Sequence, residues 1–167
     1  MSTEDTEASR RSTEESREFR VRFAVLGDLA RVLEIERGAG TAPHWGEAEY
    51  LRMVGGEAVV RRCLLVADAA EEVVGFGVGK VVGELGELES VAVLEEARRR
   101  GVGGAVCRAV VEWCRDAGAV EVELEVRAGS LGAIRMYEGL GFVEVGRRVR
   151  YYEGPVEDAV LMRVALS

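Results

Sequence analysis

The sequence predicts a single α+β domain, on three observations. About seven short segments read as strands and four carry helical spacing. At 167 residues the chain is long enough for one real core and short for two. A basic, glycine-rich segment, Arg98 to Gly104, joins an apolar strand to the clearest amphipathic helix.

In order, residues 19–24 form a strand in which Phe19, Val21 and Phe23 alternate with Arg20 and Arg22. A helix starts near Asp28, a suitable N-cap, and runs to Arg37. Residues 38–46 are a loop holding His44 and Trp45, and a short helix follows through Val54. Strands at 62–67 and 73–82 are joined by an acidic turn, and another strand spans 85–93. In the helix beyond Gly101, Val102, Ala105, Val106, Ala109, Val110 and Trp113 share one face while Arg108, Glu112 and Arg115 fall elsewhere; it ends near Gly118. A strand at 120–127, a helix at 130–140 and strands at 142–152 and 158–165 complete the domain. Residues 1–18 hold only Met1 and Ala8 as apolar side chains, too few to offset the entropy of ordering, so a disordered tail is expected there and the domain at 19–167.

The segment Arg98-Arg99-Arg100-Gly101-Val102-Gly103-Gly104 suits a diphosphate. Glycines let the backbone take positive φ and turn its amides inward, and the next helix offers unpaired N–H groups and the positive end of its dipole. No Lys-Ser/Thr pair follows the glycines, and Val106 stands where a dinucleotide-binding fold needs a third glycine, which excludes two common phosphate loops.

A net charge of −8 argues against nonspecific nucleic-acid binding and suits a cationic substrate. Lys80 is the only lysine, which reads as genomic bias before function. Cys63, Cys107 and Cys114 form neither a metal knuckle nor a redox pair and are expected as reduced thiols in or near the core, with no metal. No apolar run approaches the ~20 residues needed to cross a bilayer, so no membrane association and a cytoplasmic location are expected.

Three further stretches carry a family resemblance: Leu124-Glu125-Val126-Arg127; Ala133-Ile134-Arg135-Met136-Tyr137-Glu138-Gly139-Leu140-Gly141-Phe142; and the Arg98–Gly104 loop itself. Together they resemble the GNAT acetyltransferases, and most closely the RimI branch, the ribosomal-protein-alanine N-acetyltransferases. Ile35-Glu36, Pro43-His44-Trp45 and Arg147-Arg148 to Tyr151-Tyr152 agree with that branch. The resemblance implies a mostly antiparallel sheet of about seven strands, splayed between the fourth and fifth, with helices on both faces. It implies acetyl-CoA as cosubstrate and the N-terminal amine of a protein as acceptor, the alanine of ribosomal protein S18 foremost.

The resemblance also assigns residues. Glu125 is implied as general base and Tyr137 as general acid. Arg98, Arg99, Arg100, Gly101, Val102, Gly103 and Gly104 are implied to hold the CoA phosphates. Val91, Ala92 and Val93 would lend backbone groups to the pantetheine arm. Ser130 stands where relatives usually have a CoA-touching asparagine; it can cap the helix but cannot duplicate the amide. Glu36, Trp45, Tyr151 and Tyr152 match the acceptor groove.

The chemistry of these assignments is sound. A phenol of pKa ~10 carries its proton at pH 7 and can donate to a leaving thiolate, and an α-amine of pKa ~8 is already about one-tenth neutral, against about one molecule per few thousand for lysine. Glu121, Glu123 and Glu125 alternate with Val122, Leu124 and Val126, so they also fit the wet face of a strand. Glu87 and Glu89 form a rival pair for the base. No cysteine matches an active-site position, which favours direct transfer. Two other functions stay open: a GNAT acting on a small amine, an antibiotic or a lysine, and a noncatalytic acyl-CoA-binding module.

Overall fold

A computed structural model describes residues 19–39, 44–56 and 60–167. The expected tail at 1–18 and Pro43 lie outside the described residues. Among those described, the strands are β1 (Arg20–Phe23), β2 (Arg61–Ala69), β3 (Glu72–Val82), β4 (Leu85–Val93), β5 (Glu121–Arg127), β6 (Val143–Tyr152) and β7 (Glu157–Ala165). The helices are α1 (Leu29–Gly38), α2 (Glu47–Gly55), α3 (Val102–Asp116) and α4 (Leu131–Gly139). The strands form one sheet in the order β1-β2-β3-β4-β5-β7-β6, antiparallel except for the parallel pair β4–β5. The expected elements all occur, with ends shifted by a few residues.

Strand periodicity divides the core into two layers. Cys63 and Leu65 of β2 join Val122, Leu124 and Val126 of β5 beneath α3 and α4, while Leu64 and Val66 join Phe76 and Val78 of β3 beneath α1 and α2. On α3, Val102, Val106, Cys107, Val110 and Cys114 are fully or almost fully buried, and burying a valine side chain contributes about 1.5 kcal/mol or more.

What brings α3 so close is a row of glycines on β3. A Cβ on Gly75 would stand 3.3 Å from Val102 Cγ1, on Gly77 2.5 Å from Val106 Cγ1, and on Gly79 2.7 Å from Val110 Cγ1. Four helical residues rise about 6 Å and two strand residues about 6.6 Å, so the valines of successive turns fall over successive glycines. This contact sets the height of the helix whose N-terminus follows the basic loop.

Asp28 does not cap α1. Its carboxylate accepts the Val25 N–H (2.8 Å) and so closes the preceding turn of 3-10 helix, Leu26–Asp28, while gripping both terminal nitrogens of Arg22 at 2.8 and 3.0 Å. The guanidinium offers the stronger bond and draws the carboxylate one turn upstream.

Candidate active site

Strands β4 and β5 pair only at Leu85↔Glu121, Gly86↔Val122 and Glu87↔Glu123, then diverge. The split coincides with a bulge. Gly79 pairs with Leu88 and Val78 with Ser90, which leaves Glu89 as the extra residue. A bulge bends its strand and increases the local twist. Beyond it no strand among the described residues pairs with β4 on its β5 side, so backbone N–H and C=O groups from Leu88 onward face a gap.

That gap is a cleft of about 390 Å³, within the range of small-ligand sites. It passes through the sheet: Trp45 of the α1–α2 connection borders it on one side, and Ala133 and Tyr137 of α4 border it on the other. Its walls also bring together Glu125, Val91, Ser130, Tyr151 and Tyr152, together with the rival carboxylates Glu87 and Glu89. A second cleft of about 390 Å³ shares Glu87 and Glu125 and adds Glu123, Arg148 and Arg163.

The three glutamates are not equivalent. Glu89 is clamped by the Arg62 fork at 2.8 and 3.2 Å, with Lys80 Nζ at 3.8 Å. Glu87 has a looser contact to Lys80 at 3.5 Å. Glu125 faces Arg148 at 3.5 Å and accepts the Tyr151 hydroxyl, which raises the Tyr151 pKa. Both Glu89 oxygens are occupied and fixed in place by the Arg62 fork, so Glu89 is the least free of the three to reach a substrate.

Tyr137 packs edge-on against Phe142, with centroids 5.9 Å apart. Burial, reinforced by the neighbouring Cys107 and Tyr152, raises its pKa well above the ordinary tyrosine value. The phenol therefore keeps its proton at any physiological pH.

Tyr151 and Tyr152 are set edge to face, 5.0 Å apart. Arg127 lies 4.4 Å over the Tyr152 ring and donates to the carbonyls of Glu153 and Pro155 and to Glu157, so the β6–β7 turn is tied to the end of β5. Trp45 is fixed from behind by Glu36, whose Oε1 accepts both the Trp45 backbone N–H and the Tyr50 hydroxyl (2.9 Å). Glu36 is only 2 % exposed and does not line the cleft; its contact with the groove runs through Trp45. His44 is exposed.

The basic loop follows β4 beyond the cleft, with Arg98, Arg99 and Arg100 all exposed. Of its glycines only Gly101 takes positive φ (79°), and Arg99 takes the same left-handed region (64°). Gly103 is needed for another reason, since a Cβ there would stand 3.2 Å from Met136 Sδ of α4. Gly104 would meet nothing within 4 Å. The first backbone bond of α3 runs from Ala105 N–H to the Gly101 carbonyl, which leaves the N–H groups of Val102, Gly103 and Gly104 without intrahelical partners beside that open space. The donor set and the room fit a diphosphate. Ser130 forms no side-chain cap on α4 and instead borders the cleft. Val91 and Val93 are half-buried and Ala92 is buried beneath α1 and α2, so their backbone is what β4 offers the gap.

Three groups escaped sequence reasoning: Arg127 as the tether of the aromatic wall, Ser90 beside the bulge, and the β3 glycines. Only the last left a signal, glycine at every second position of one strand.

Comparison with known proteins shows the family and the fold. The model of the acetyltransferase (GNAT) family matches residues 29–142. An N-alpha-acetyltransferase of Sulfurisphaera tokodaii is 32% identical over 165 residues, covering 90% of this chain and 95% of its own. The [ribosomal protein bS18]-alanine N-acetyltransferase of Salmonella typhimurium is 32% identical over 142 residues, covering 84% and 93%. The crystal structure of the ribosomal-protein-S18-alanine N-acetyltransferase from Escherichia coli superposes with a TM-score of 0.76 at 27% identity, covering 89% of this chain and 94% of that one.

Proposed function

The chain belongs to the GNAT acetyltransferase family and uses acetyl-CoA as its cosubstrate, and from that premise we propose that its acceptor is the N-terminal α-amine of a protein, with the alanine of ribosomal protein bS18 as the first candidate. One observation carries the reading: a single cleft through the sheet is lined by Tyr137, Trp45, the Tyr151–Tyr152 pair and Glu125 together. The names of the two relatives at 32% identity support the acceptor class.

In this reading the N–H groups of Val102, Gly103 and Gly104 hold the diphosphate and Arg98, Arg99 and Arg100 the remaining phosphate charge. The free edge of β4 at Val91, Ala92 and Val93 pairs with the pantetheine amides, and Ser130 offers one hydroxyl to the same arm. Glu125, through water, takes a proton from the α-amine as its nitrogen attacks the thioester carbonyl carbon. The C–N bond forms, the C–S bond breaks with its electron pair going to sulfur, and Tyr137 supplies the sulfur's proton. Solvent takes the proton from Glu125 and returns one to Tyr137. Transfer is direct: burial pushes the thiols of Cys63 and Cys107 up to about 12 and that of Cys114 to about 11, and none borders the cleft.

The test is CoA release with acetyl-CoA and a peptide bearing the bS18 N-terminus, beside the same peptide with its α-amine blocked. Release with the free amine alone is expected. Equal release from both, or preference for a lysine side chain or small amine, refutes the assignment.

A further inference from the structure

Two buried side-chain polar atoms lack a hydrogen-bond partner among the described residues, Ser90 Oγ and Arg127 Nε, and both residues border the cleft. Arg127 has other work in tethering the β6–β7 turn. Ser90 has none: it is 6 % exposed, in mid-strand, with a hydroxyl that alanine would spare the fold.

The bulge decides which way that hydroxyl faces. With regular alternation Ser90 would share the side of Leu88, beneath α3. With Glu89 extruded, Ser90 instead pairs with Val78, whose side chain lies in the layer beneath α1 and α2. Residues paired across strands share a face, so Ser90 sits on the side of the sheet from which Trp45 borders the cleft, opposite the side of Tyr137.

We propose that Ser90 Oγ accepts a hydrogen bond from the acceptor's α-amine and holds that nitrogen at the Trp45 side of the cleft; this rests on the reading of the acceptor as an α-amine. The residue type suits the task. A nucleophilic amine has given up one proton and keeps two N–H groups that need acceptors once water is excluded. A carboxylate in direct contact favours the charged ammonium and works against attack, whereas a neutral hydroxyl accepts the N–H without that bias. The hydroxyl without a partner among the described residues thereby gains one in the complex.

The experiment is steady-state kinetics of Ser90→Ala with both substrates varied, beside its thermal midpoint. A lost neutral hydrogen bond predicts an acceptor KM raised about three- to tenfold, with the acetyl-CoA KM unchanged and the midpoint equal or higher. Ser90→Cys, of similar shape and weaker as an acceptor, should fall between. An unaltered acceptor KM, a parallel rise in both KM values, or a lowered midpoint each overturns the proposal, the last by giving the hydroxyl a structural role. If the wild type turns over the free-amine peptide and Ser90→Ala is indifferent, this proposal alone falls. If the wild type turns over no free-amine peptide, the parent reading falls with it.

Discussion

Replacing Gly77 with alanine tests how the core holds the cofactor loop. The new Cβ would stand 2.5 Å from Val106 Cγ1 and 3.3 Å from Val110 Cγ2, where carbon atoms in contact sit about 3.5–4.0 Å apart. Val106 is 0 % exposed and packed in the core, so α3 must retreat by about 1 Å, judged from that contact distance. Overpacking of this kind costs about 1–3 kcal/mol. Alanine recovers about 0.5–1 kcal/mol by restricting the unfolded chain. From the middle of the overpacking range, about 2 kcal/mol, the net loss of about 1–1.5 kcal/mol lowers Tm by roughly 2–6 °C in a chain of this size. The displaced helix begins at Val102, so its unpaired N–H groups move with it, and the acetyl-CoA KM should rise several-fold while the acceptor KM holds. Thermal unfolding followed by circular dichroism, with initial rates at varied concentrations of each substrate, reads both effects. A Tm within a degree of wild type together with an unchanged acetyl-CoA KM would refute the reasoning, because Val106 would then have room. Gly104→Ala gives the complementary case: its Cβ meets no protein atom within 4 Å, so folding should be unharmed while acetyl-CoA binding weakens.

Tyr137→Phe should lower kcat by about 100-fold or more, the usual scale for a lost general acid, with an unchanged far-ultraviolet spectrum. Because the Tyr137 pKa is raised, wild-type kcat should stay level through pH 10, where an ordinary tyrosine would be half ionised; a descending limb near pH 10 would contradict the assignment. Arg22 holds the Asp28 carboxyl below the usual carboxylate range. That contribution is complete above the unfolded value of ~3.9 and is lost as pH falls through the lower folded value, so Asp28→Asn, which weakens hydrogen bonds to a charged group, should cost about 2 kcal/mol at pH 7, with a gap to wild type that narrows in urea titrations below pH 4. All three thiols should resist alkylation in the native protein and react in denaturant, and rapid native modification of any of them would count against direct transfer.

Most of the fold was legible in the sequence because its elements are locally encoded. The alternation of Val122, Leu124 and Val126 against three glutamates marks a half-buried strand, and the valine stripe of α3 marks a helix. Glu125, Tyr137, Trp45, Tyr151 and Tyr152 were named from motifs, and the fold brings all five to one cleft. Glu36 illustrates the limit. The same motifs linked it to the acceptor, yet it is buried behind Trp45 by a hydrogen bond from Tyr50, fourteen residues away. No local pattern announces that contact.

The sequence by itself determined the order of elements, the strand–loop–helix unit that presents backbone donors to phosphate, and the residue types available for proton transfer, because each depends on periodicity or composition within a few residues. Only the tertiary structure decided where β4 and β5 part, that Glu89 is extruded and Ser90 turned to the opposite face, that Arg62 immobilises Glu89 while Glu125 has a looser ion pair with Arg148, and that α3 rests on bare β3 backbone. These features depend on register and on distances between segments far apart in the chain, and a one-residue change of register moves a side chain to the other face of the sheet.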